Sequence, residues 1–196
     1  MKKKEIRTID ITDLSTRSNE ETQTRTISGY AAVFNSPTRL WEDLDEVIAP
    51  GAFSRAVSSS DVRCLFNHDW SNVLGRTKSG TLRLSEDERG LKFEVDLPDT
   101  TIARDLIKSM ERGDINQCSF GFIPTEETWD YNSTPMLRTI HEVELYEVSI
   151  VPLPAYEDTE AALRSKEDLE KIVEKRKNLI KKIKSSARSL GGNHYE

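Results

Sequence analysis

Residues 117–123 read QCSFGFI, a run in which large apolar residues alternate with small or polar ones. A period of two is typical of a β-strand with one buried face. The side predicted to face the core carries Cys118, Phe120 and Phe122. Ser119 and Gly121 are predicted to point the other way, which places a small hydroxyl beside a glycine on the open side of the strand.

Strand-like segments lie on both sides of this run and are separated by turn residues. They occupy residues 26–34, 46–48, 62–68, 80–84, 91–97 and 136–151. Residues 80–84 and 91–97 are joined by a polar turn ending in glycine, which predicts a β-hairpin. The pattern indicates a mainly β, α+β chain: a small β-barrel or sandwich with helices packed outside.

Two helices are expected within this β-rich region. A brief one covers residues 52–57. A longer one begins at a cap provided by Asp99 or Thr100 and ends near Arg112, where Gly113 supplies the stop. Its apolar positions recur at intervals of four and are Ile102, Leu106 and Met110.

The two ends of the chain differ from the middle. Residues 1–25 are polar and are predicted to form a mobile arm or an edge strand, with a short alternation at Ile6, Ile9 and Ile11. Residues 165–196 are predicted to form a basic amphipathic helical tail. Residues 164–190 carry a local charge of +6, which leaves −12 on the rest of the chain. The middle, residues 26–164, is predicted to be the functional domain.

The apolar face of the predicted tail helix follows i, i+3, i+4, i+7 spacing. Its members are Leu169, Ile172, Val173, Leu179, Ile180, Ile183, Ala187 and Leu190.

Composition excludes several classes of function. No apolar run approaches the ~20 residues that cross a bilayer, and no secretory signal follows the basic start, so no membrane partner is expected. Cys64 and Cys118 do not make a disulfide framework, and a reducing setting such as a cytoplasm suits them. Because the chain holds no His-rich or Cys-rich ligand set, neither a metal nor another cofactor is expected.

His68 and Ser119 are the candidates for catalytic chemistry. His68 ends the predicted strand 62–68 and precedes a polar turn, so it can be held rigidly and still meet a substrate. On position alone, a surface histidine and a solvent-facing serine remain the simpler interpretations of these two residues. Cys118 is a second candidate nucleophile, but alternation turns it inward, where a thiol is usually inert.

A catalytic histidine also needs a group that holds its tautomer and stabilises its charged form. Simple alternation puts Glu147 on the apolar face of strand 136–151 together with Val143 and Leu145. A carboxylate there needs a cationic partner, which a protonated His68 can supply. Glu144 and His141 are the alternatives, and a β-bulge would exchange the two faces.

Six sequence blocks, in this order, resemble the prohead maturation protease family of tailed bacteriophages over about residues 26–164. The blocks are GYAAVFN (29–35), EVIAPGAF (46–53), LFNHD (65–69), GLKFEVDLP (90–98), SFGF (119–122) and EVSIVPLPAY (147–156). That family is distantly related to the herpesvirus assemblins, which have a small β-barrel surrounded by helices and a Ser-His-His triad.

The resemblance implies a serine endopeptidase with Ser119 as nucleophile and His68 as general base. Glu147 matches the expected acidic third member, while His141 would keep an assemblin-like Ser-His-His triad. The implied substrates are the scaffold or the scaffolding arm of the major capsid protein, and the protease itself. The implied location is the procapsid interior in the host cell cytoplasm.

The basic tail can pair with an acidic helical scaffold segment, pack in a homodimer, or remain solvated. It lacks the interleaved aromatic residues that single-stranded nucleic acids stack on, so nucleic acid is not an expected partner. The alternative function is a non-catalytic capsid-assembly or scaffold protein on the same fold. Labelling by a serine-directed fluorophosphonate probe would separate the two.

Overall fold

The computed structural model describes residues 4–10, 15–19, 24–152, 170–171, 173–183 and 185–186. These residues form a mainly β structure. Its strands are β1 (Glu5–Asp10), β2 (Ser15–Asn19), β3 (Thr24–Val33), β4 (Thr38–Trp41), β5 (Leu44–Ile48), β6 (Arg63–Phe66), β7 (Asp69–Arg76), β8 (Leu82–Glu86), β9 (Gly90–Asp96), β10 (Gln117–Asp130) and β11 (Met136–Val151). The helices α1 (Ser54–Ser59) and α2 (Thr101–Glu111) and a 3-10 turn (Thr77–Ser79) interrupt them.

The larger sheet has seven strands and is built around β10 and β11. Its order is β1-β10-β11-β5-β4, and β6 pairs with both β11 and β7. Residues 136–140 of β11 pair in parallel with β5, whereas residues 147–150 pair in parallel with β6. One long strand therefore carries two different parallel partners along its length.

The smaller sheet is antiparallel and has the order β2-β3-β9-β8. The predicted hairpin of residues 80–84 and 91–97 is confirmed as the β8–β9 pair. Among the described strands both sheets keep free edges, β1, β4 and β7 in the larger and β2 and β8 in the smaller, so they form no closed barrel. The predicted barrel is therefore replaced by two open sheets that share one apolar core.

Aromatic residues fill that core from several elements. The predicted inward face of β10 is confirmed, because Cys118, Phe120 and Phe122 are almost completely buried. The Phe120 ring meets Phe122 at 5.0 Å and Phe53 edge-on at 5.5 Å. Such offset and edge-to-face contacts add to the stabilisation that comes from burial of apolar area.

Helix α2 begins as expected but turns a different face to the core. Thr100 is its cap and accepts a hydrogen bond from the Ala103 backbone N–H, and Gly113 ends it at φ 82°. The buried positions are Ala103, Leu106 and Ile107. Ile102 is exposed, because a buried helix stripe follows i, i+3, i+4 spacing rather than steps of four.

Two local predictions shift. The first helix starts at Ser54 rather than residue 52, because residues 49–52 form a turn in which the Ala52 N–H bonds the Ala49 carbonyl. Residues 69–72, predicted as a polar turn, are the beginning of strand β7. The turn is instead formed by residues 67 and 68, which directly precede this strand.

The contacts within the chain divide it into two compact units, Met1–Tyr156 and Glu157–Glu196. In the second unit, the described residues 170–171, 173–183 and 185–186 are helical. Val173 is buried there, whereas Leu179 and Ile183 are exposed. Four residues of the predicted apolar face lie outside the described residues: Leu169, Ile172, Ala187 and Leu190. In the part of the chain that the structure describes, no helix has the length and apolarity to cross a membrane.

Of the two forms predicted near the start of the chain, a mobile arm or an edge strand, residues 5–10 take the form of an edge strand. Strand β1 is an edge strand of the seven-stranded sheet and runs antiparallel to β10. Ile9 packs against the core, while Ile11 lies outside the described residues.

Candidate active site

Ser119 lies on β10 between two partner strands. It is directly opposite Ser149 of β11 on one side and Thr8 of β1 on the other. Its side chain points away from the Phe120 face, as alternation predicts. The expected openness is wrong, however: Ser119 is fully buried, because β1 has added to the edge of β10 and lies against it.

The Ser119 hydroxyl is bonded to β1. It donates to the Arg7 backbone carbonyl at 2.8 Å and accepts from the Thr8 hydroxyl at 3.1 Å. The nucleophile candidate is therefore hydrogen-bonded to a neighbouring peptide group rather than to a base.

His68 lies in a two-residue turn, not at the end of a strand. Phe66 of β6 pairs with Asp69 of β7, which leaves Asn67 and His68 as the loop of a tight hairpin. Both have positive φ, 54° and 59°, as the two central residues of a type I′ turn require. Asn and His are among the few non-glycine residues that tolerate this region, so the sequence can make the turn without glycine.

The turn directs the His68 ring towards β11. Its Nδ1 lies 2.9 Å from Oε1 of Glu147, whose side chain is completely buried. Because the chain reverses before His68, its side chain does not continue the alternation of strand β6.

Glu147 reaches this position through a β-bulge. Gly121 of β10 is opposite Glu147, but the next residue, Phe122, is opposite Leu145, so Tyr146 is an extra residue in β11. The bulge reverses the alternation, which turns Glu147 towards the Ser119 face while Leu145 stays in the core. The prediction that Glu147 shares a face with Val143 and Leu145 is therefore wrong.

Three groups besides His68 surround the Glu147 carboxylate. The Ser149 hydroxyl donates to Oε2 at 2.6 Å, and Lys4 Nζ lies 3.7 Å from Oε1. Gly121 leaves space for the Glu147 carboxylate and for Lys4, since a Cβ at position 121 would lie 2.5 Å from Oε1 of Glu147 and 2.5 Å from Cε of Lys4. Sequence reasoning missed Ser149 and Lys4, although Ser149 is two residues after Glu147 and hence on the same strand face.

These contacts determine the charge state of Glu147. Burial by itself raises the pKa of a carboxyl group, because it penalises the charged form. The hydrogen bond and charge of His68, the Ser149 hydroxyl and the Lys4 ammonium outweigh burial and hold the pKa of Glu147 below its usual value. Glu147 is therefore ionised at neutral pH and can stabilise a protonated His68.

The second nitrogen of His68 has no such partner. Nε2 is buried and makes no hydrogen bond among the described residues, so the structure contains no Ser119–His68 bond. Because Nδ1 faces an ionised carboxylate, the neutral form of the imidazole has its proton on Nδ1 and a lone pair on Nε2. Such a nitrogen can accept a proton from a hydroxyl that is released from its present bonds.

In the described part of the chain, His68 bonds to Glu147 and to neither of the alternative third residues. The side chain of Glu144 is exposed. Burial, followed by the contact with Glu144, raises the pKa of the Tyr146 phenol. His141 Nε2 lies 2.8 Å from the Thr128 hydroxyl. It is eight residues from Ser149 along β11, about 26 Å at the rise of an extended strand.

Cys118 has the inward orientation that was predicted. Burial, followed by the nearby Cys64, raises the pKa of the Cys118 thiol well above its usual value. Burial and then the charge of Glu147 raise the pKa of Cys64 in the same way. The thiolate is the nucleophilic form of cysteine, so both thiols are held in their unreactive form. No group of His, Cys, Asp and Glu that can hold a metal ion occurs within the described ranges.

Residues 12–174 match the family described as caudovirus prohead serine protease. The chain belongs to this family. The protease also resembles a solved structure described as the bacteriophage T4 capsid assembly protease, gp21, with a TM-score of 0.52 and 10% sequence identity. The match covers 76% of this chain and 96% of that chain, and at this identity it speaks for the fold alone. No curated protein sequence matches the chain significantly.

Proposed function

We propose that this phage prohead serine protease uses Ser119 as nucleophile, His68 as general base and Glu147 as the residue that orients His68. One observation carries the proposal: the His68–Glu147 pair, 2.9 Å apart, lies on the side of the sheet that carries Ser119. A general base in an acyl-transfer triad needs a carboxylate on Nδ1 and an Nε2 free to accept a proton, and among the residues that the structure describes His68 has both.

The reaction then proceeds in two acyl-transfer steps. Ser119 Oγ attacks the scissile carbonyl carbon while His68 Nε2 takes its proton, and the imidazolium so formed is stabilised by Glu147. The imidazolium gives that proton to the leaving amine as the peptide C–N bond breaks. Water, deprotonated by the same nitrogen, hydrolyses the acyl-enzyme and regenerates Ser119.

We propose as substrates the scaffold or the scaffolding arm of the major capsid protein, and the protease chain itself. Cleavage then takes place inside the procapsid, in the host cell. Membership of the caudovirus prohead serine protease family supports this class of substrate.

The test is mass spectrometry of the protease co-expressed with its capsid protein. Ser119→Ala is expected to abolish processing of both proteins, because triad members act as a unit and their loss costs on the order of 10⁴-fold or more. Cys118→Ala is the matched control, one residue away, and is expected to retain processing. Retained cleavage in Ser119→Ala, with loss in Cys118→Ala, would assign the nucleophile to the cysteine.

We also propose that the basic tail, residues 165–196, carries the protease into the procapsid by pairing with an acidic helical segment of the scaffold. The charge pattern of residues 164–190 supports this role. Deletion of residues 165–196 is expected to leave hydrolysis of a small peptide unchanged and to reduce the amount of protease in purified procapsids. Normal packaging of the shortened chain would contradict the role.

A further inference from the structure

Strand β1 is bound to the protease core in the way that a peptide ligand adds to a sheet. It forms an antiparallel ladder with β10 from Glu5 opposite Phe122 to Asp10 opposite Gln117. Without β1, strand β10 would be the edge of the seven-stranded sheet. An exposed edge strand offers unpaired backbone groups to an extended peptide, which is how many proteins bind peptides.

Strand β1 contacts the Ser119 hydroxyl at one defined peptide bond. The Arg7 carbonyl is the group that accepts the hydrogen bond from Ser119 Oγ, and Thr8 is directly opposite Ser119. The Arg7–Thr8 peptide bond is thus the one that β1 presents to the nucleophile. Within the described part of the chain nothing bonds to the buried His68 Nε2, and the Ser119 proton is directed at the strand instead.

The opposite face of β1 inserts two charged side chains into a buried ionic cluster. We define the cluster by Glu46 of β5, Glu127 of β10 and Arg138 of β11. Glu5 accepts from Arg138 Nη1 and Nη2 at 2.8 and 2.9 Å. Arg7 donates to the two carboxylate oxygens of Glu46 at 2.6 and 2.9 Å.

The cluster has the charge and shape to recognise such a strand. Arg138 is 1% exposed and Glu46 is 3% exposed, so an unmatched charge here would lack water to solvate it. Glu5 and Arg7 are two residues apart and hence on one strand face, with the carboxylate beside Arg138 and the guanidinium beside Glu46. Interchanging the two would place like charges against each other at both contacts.

We propose that the edge of β10 now filled by β1 is the substrate site of the protease, and that the cluster Glu46–Glu127–Arg138 selects its substrates. The preferred substrate is an extended segment with an acidic residue two positions before a basic one. The bond cleaved is the one that follows the basic residue, at the position of Arg7. This inference rests on the proposed role of Ser119.

The chemistry at this bond is the acyl transfer already described. Ser119 Oγ bonds to the carbonyl carbon of the basic residue, the C–N bond to the next residue breaks, and the proton on His68 leaves with the amine. Water then releases the basic residue as a carboxylate. Strand β1 acts as an internal competitor at an effective concentration in the millimolar range, so a substrate must displace it.

The test uses the full-length wild-type chain and two peptides of identical composition and charge. One has the sequence of residues 2–13, and the other is the same peptide with its Glu and Arg interchanged. Liquid chromatography with mass spectrometry gives the rate and the bond cut. We expect cleavage after the Arg of the first peptide and a kcat/KM at least about 30-fold lower for the second, since a mispaired buried charge is costly.

A full-length variant with β1 disfavoured sharpens the test. Glu5→Arg/Arg7→Glu reverses both contacts of β1 while leaving the cluster intact, so it is expected to raise the cleavage rate for the first peptide by about tenfold or more. The ratio between the two peptides should stay the same. If circular dichroism shows that this variant is unfolded, Glu5→Gln/Arg7→Gln replaces it.

The outcomes separate this inference from the proposed function. Equal rates for the two peptides, cleavage at another bond, or labelling of Ser119 by a fluorophosphonate without cleavage of either peptide would overturn the substrate site alone. Absence of both labelling and cleavage in the wild type and in the folded variant would overturn the assignment of Ser119, and the inference with it.

Discussion

The two faces of β1 contact two regions that differ in how completely their buried polar groups are hydrogen-bonded. On one face, Arg138 bonds to Glu5, Glu46 and Glu127, and Arg7 bonds to Glu5 and Glu46. On the other face, the His68–Glu147 pair leaves the buried Nε2 of His68 without a hydrogen bond among the described residues. In the ionic cluster every charged group bonds to one of opposite charge and the contacts hold strands together, whereas the site keeps one acceptor open for a reaction.

This difference implies that a similar substitution should affect different quantities in the two regions. Loss of a group in the site should reduce the catalytic rate much more than it reduces stability. Loss of a group in the cluster should first lower the free energy of unfolding, because it leaves buried charges unpaired. Four variants test the comparison.

The largest effect is expected for Glu147→Gln. An amide cannot stabilise the protonated His68 and can favour the wrong tautomer, so kcat/KM for a cleaved peptide should fall by about 10²- to 10⁴-fold. Glu144→Gln, on the same strand but exposed, is the control and should retain the wild-type rate. Full activity of Glu147→Gln together with loss in Glu144→Gln or His141→Ala would assign the third catalytic residue elsewhere.

Next in size is Arg138→Met. Removing this guanidinium leaves three carboxylates without their shared partner, and we expect a loss of about 3–5 kcal/mol in the free energy of unfolding measured by urea titration. Arg83→Met removes an exposed arginine paired with Asp96 and is expected to cost less than about 1 kcal/mol. Similar losses in the two variants would contradict the view that the cluster stabilises the fold.

A smaller change in stability with a clear change in rate is expected for Gly121→Ala. The new methyl group must displace the Glu147 carboxylate, so kcat should fall by about tenfold or more, while unfolding changes by about 1 kcal/mol. Gly80→Ala is the control: its positive φ of 75° makes alanine costly, but apart from its chain neighbours no heavy atom of the described residues lies within 4 Å of the new carbon. It should lower stability without a loss of rate.

The smallest expected effect is on the pH dependence of stability at acidic pH. Burial raises the pKa of Glu5, but the charges and hydrogen bonds of Arg7 and Arg138 outweigh it and lower the pKa from its ordinary 4.5. The stabilisation by ionised Glu5 is therefore complete above pH 4.5 and is lost as the pH falls through the lower folded value. Unfolding free energies measured from pH 7 to pH 3 should fall less steeply for Glu5→Gln than for the wild type. An identical slope would contradict this.

Local patterns in the sequence were enough for the parts of the fold that depend on near neighbours. Alternation correctly orients Cys118, Phe120 and Phe122, and the cap at Thr100 and the β8–β9 hairpin are as predicted. Each depends on residues within a few positions of one another, where the period of the backbone fixes which side chains share a face.

The parts that could not be predicted depend on distant partners or on single-residue irregularities. The bulge at Tyr146 reverses the face of Glu147, and Asn67-His68 lacks the glycine that usually marks a type I′ turn. Arg138 reads as one polar residue in a strand, because its partner Glu5 is 133 residues away. The docking of β1 on β10 is likewise a long-range pairing without a local signal.

The extra residue Tyr146 reverses the phase of β11 beside the site. Just before it the odd-numbered Val143 and Leu145 are buried in the core, and after it the even-numbered Val148 and Ile150 are. Removing Tyr146 would join these two stretches in one phase, so that either the core or the site would receive the wrong set of side chains. For the proposed role of Glu147, the chain length between Leu145 and Glu147 is therefore as important as the carboxylate itself, and we expect substitution at position 146 to be tolerated better than deletion.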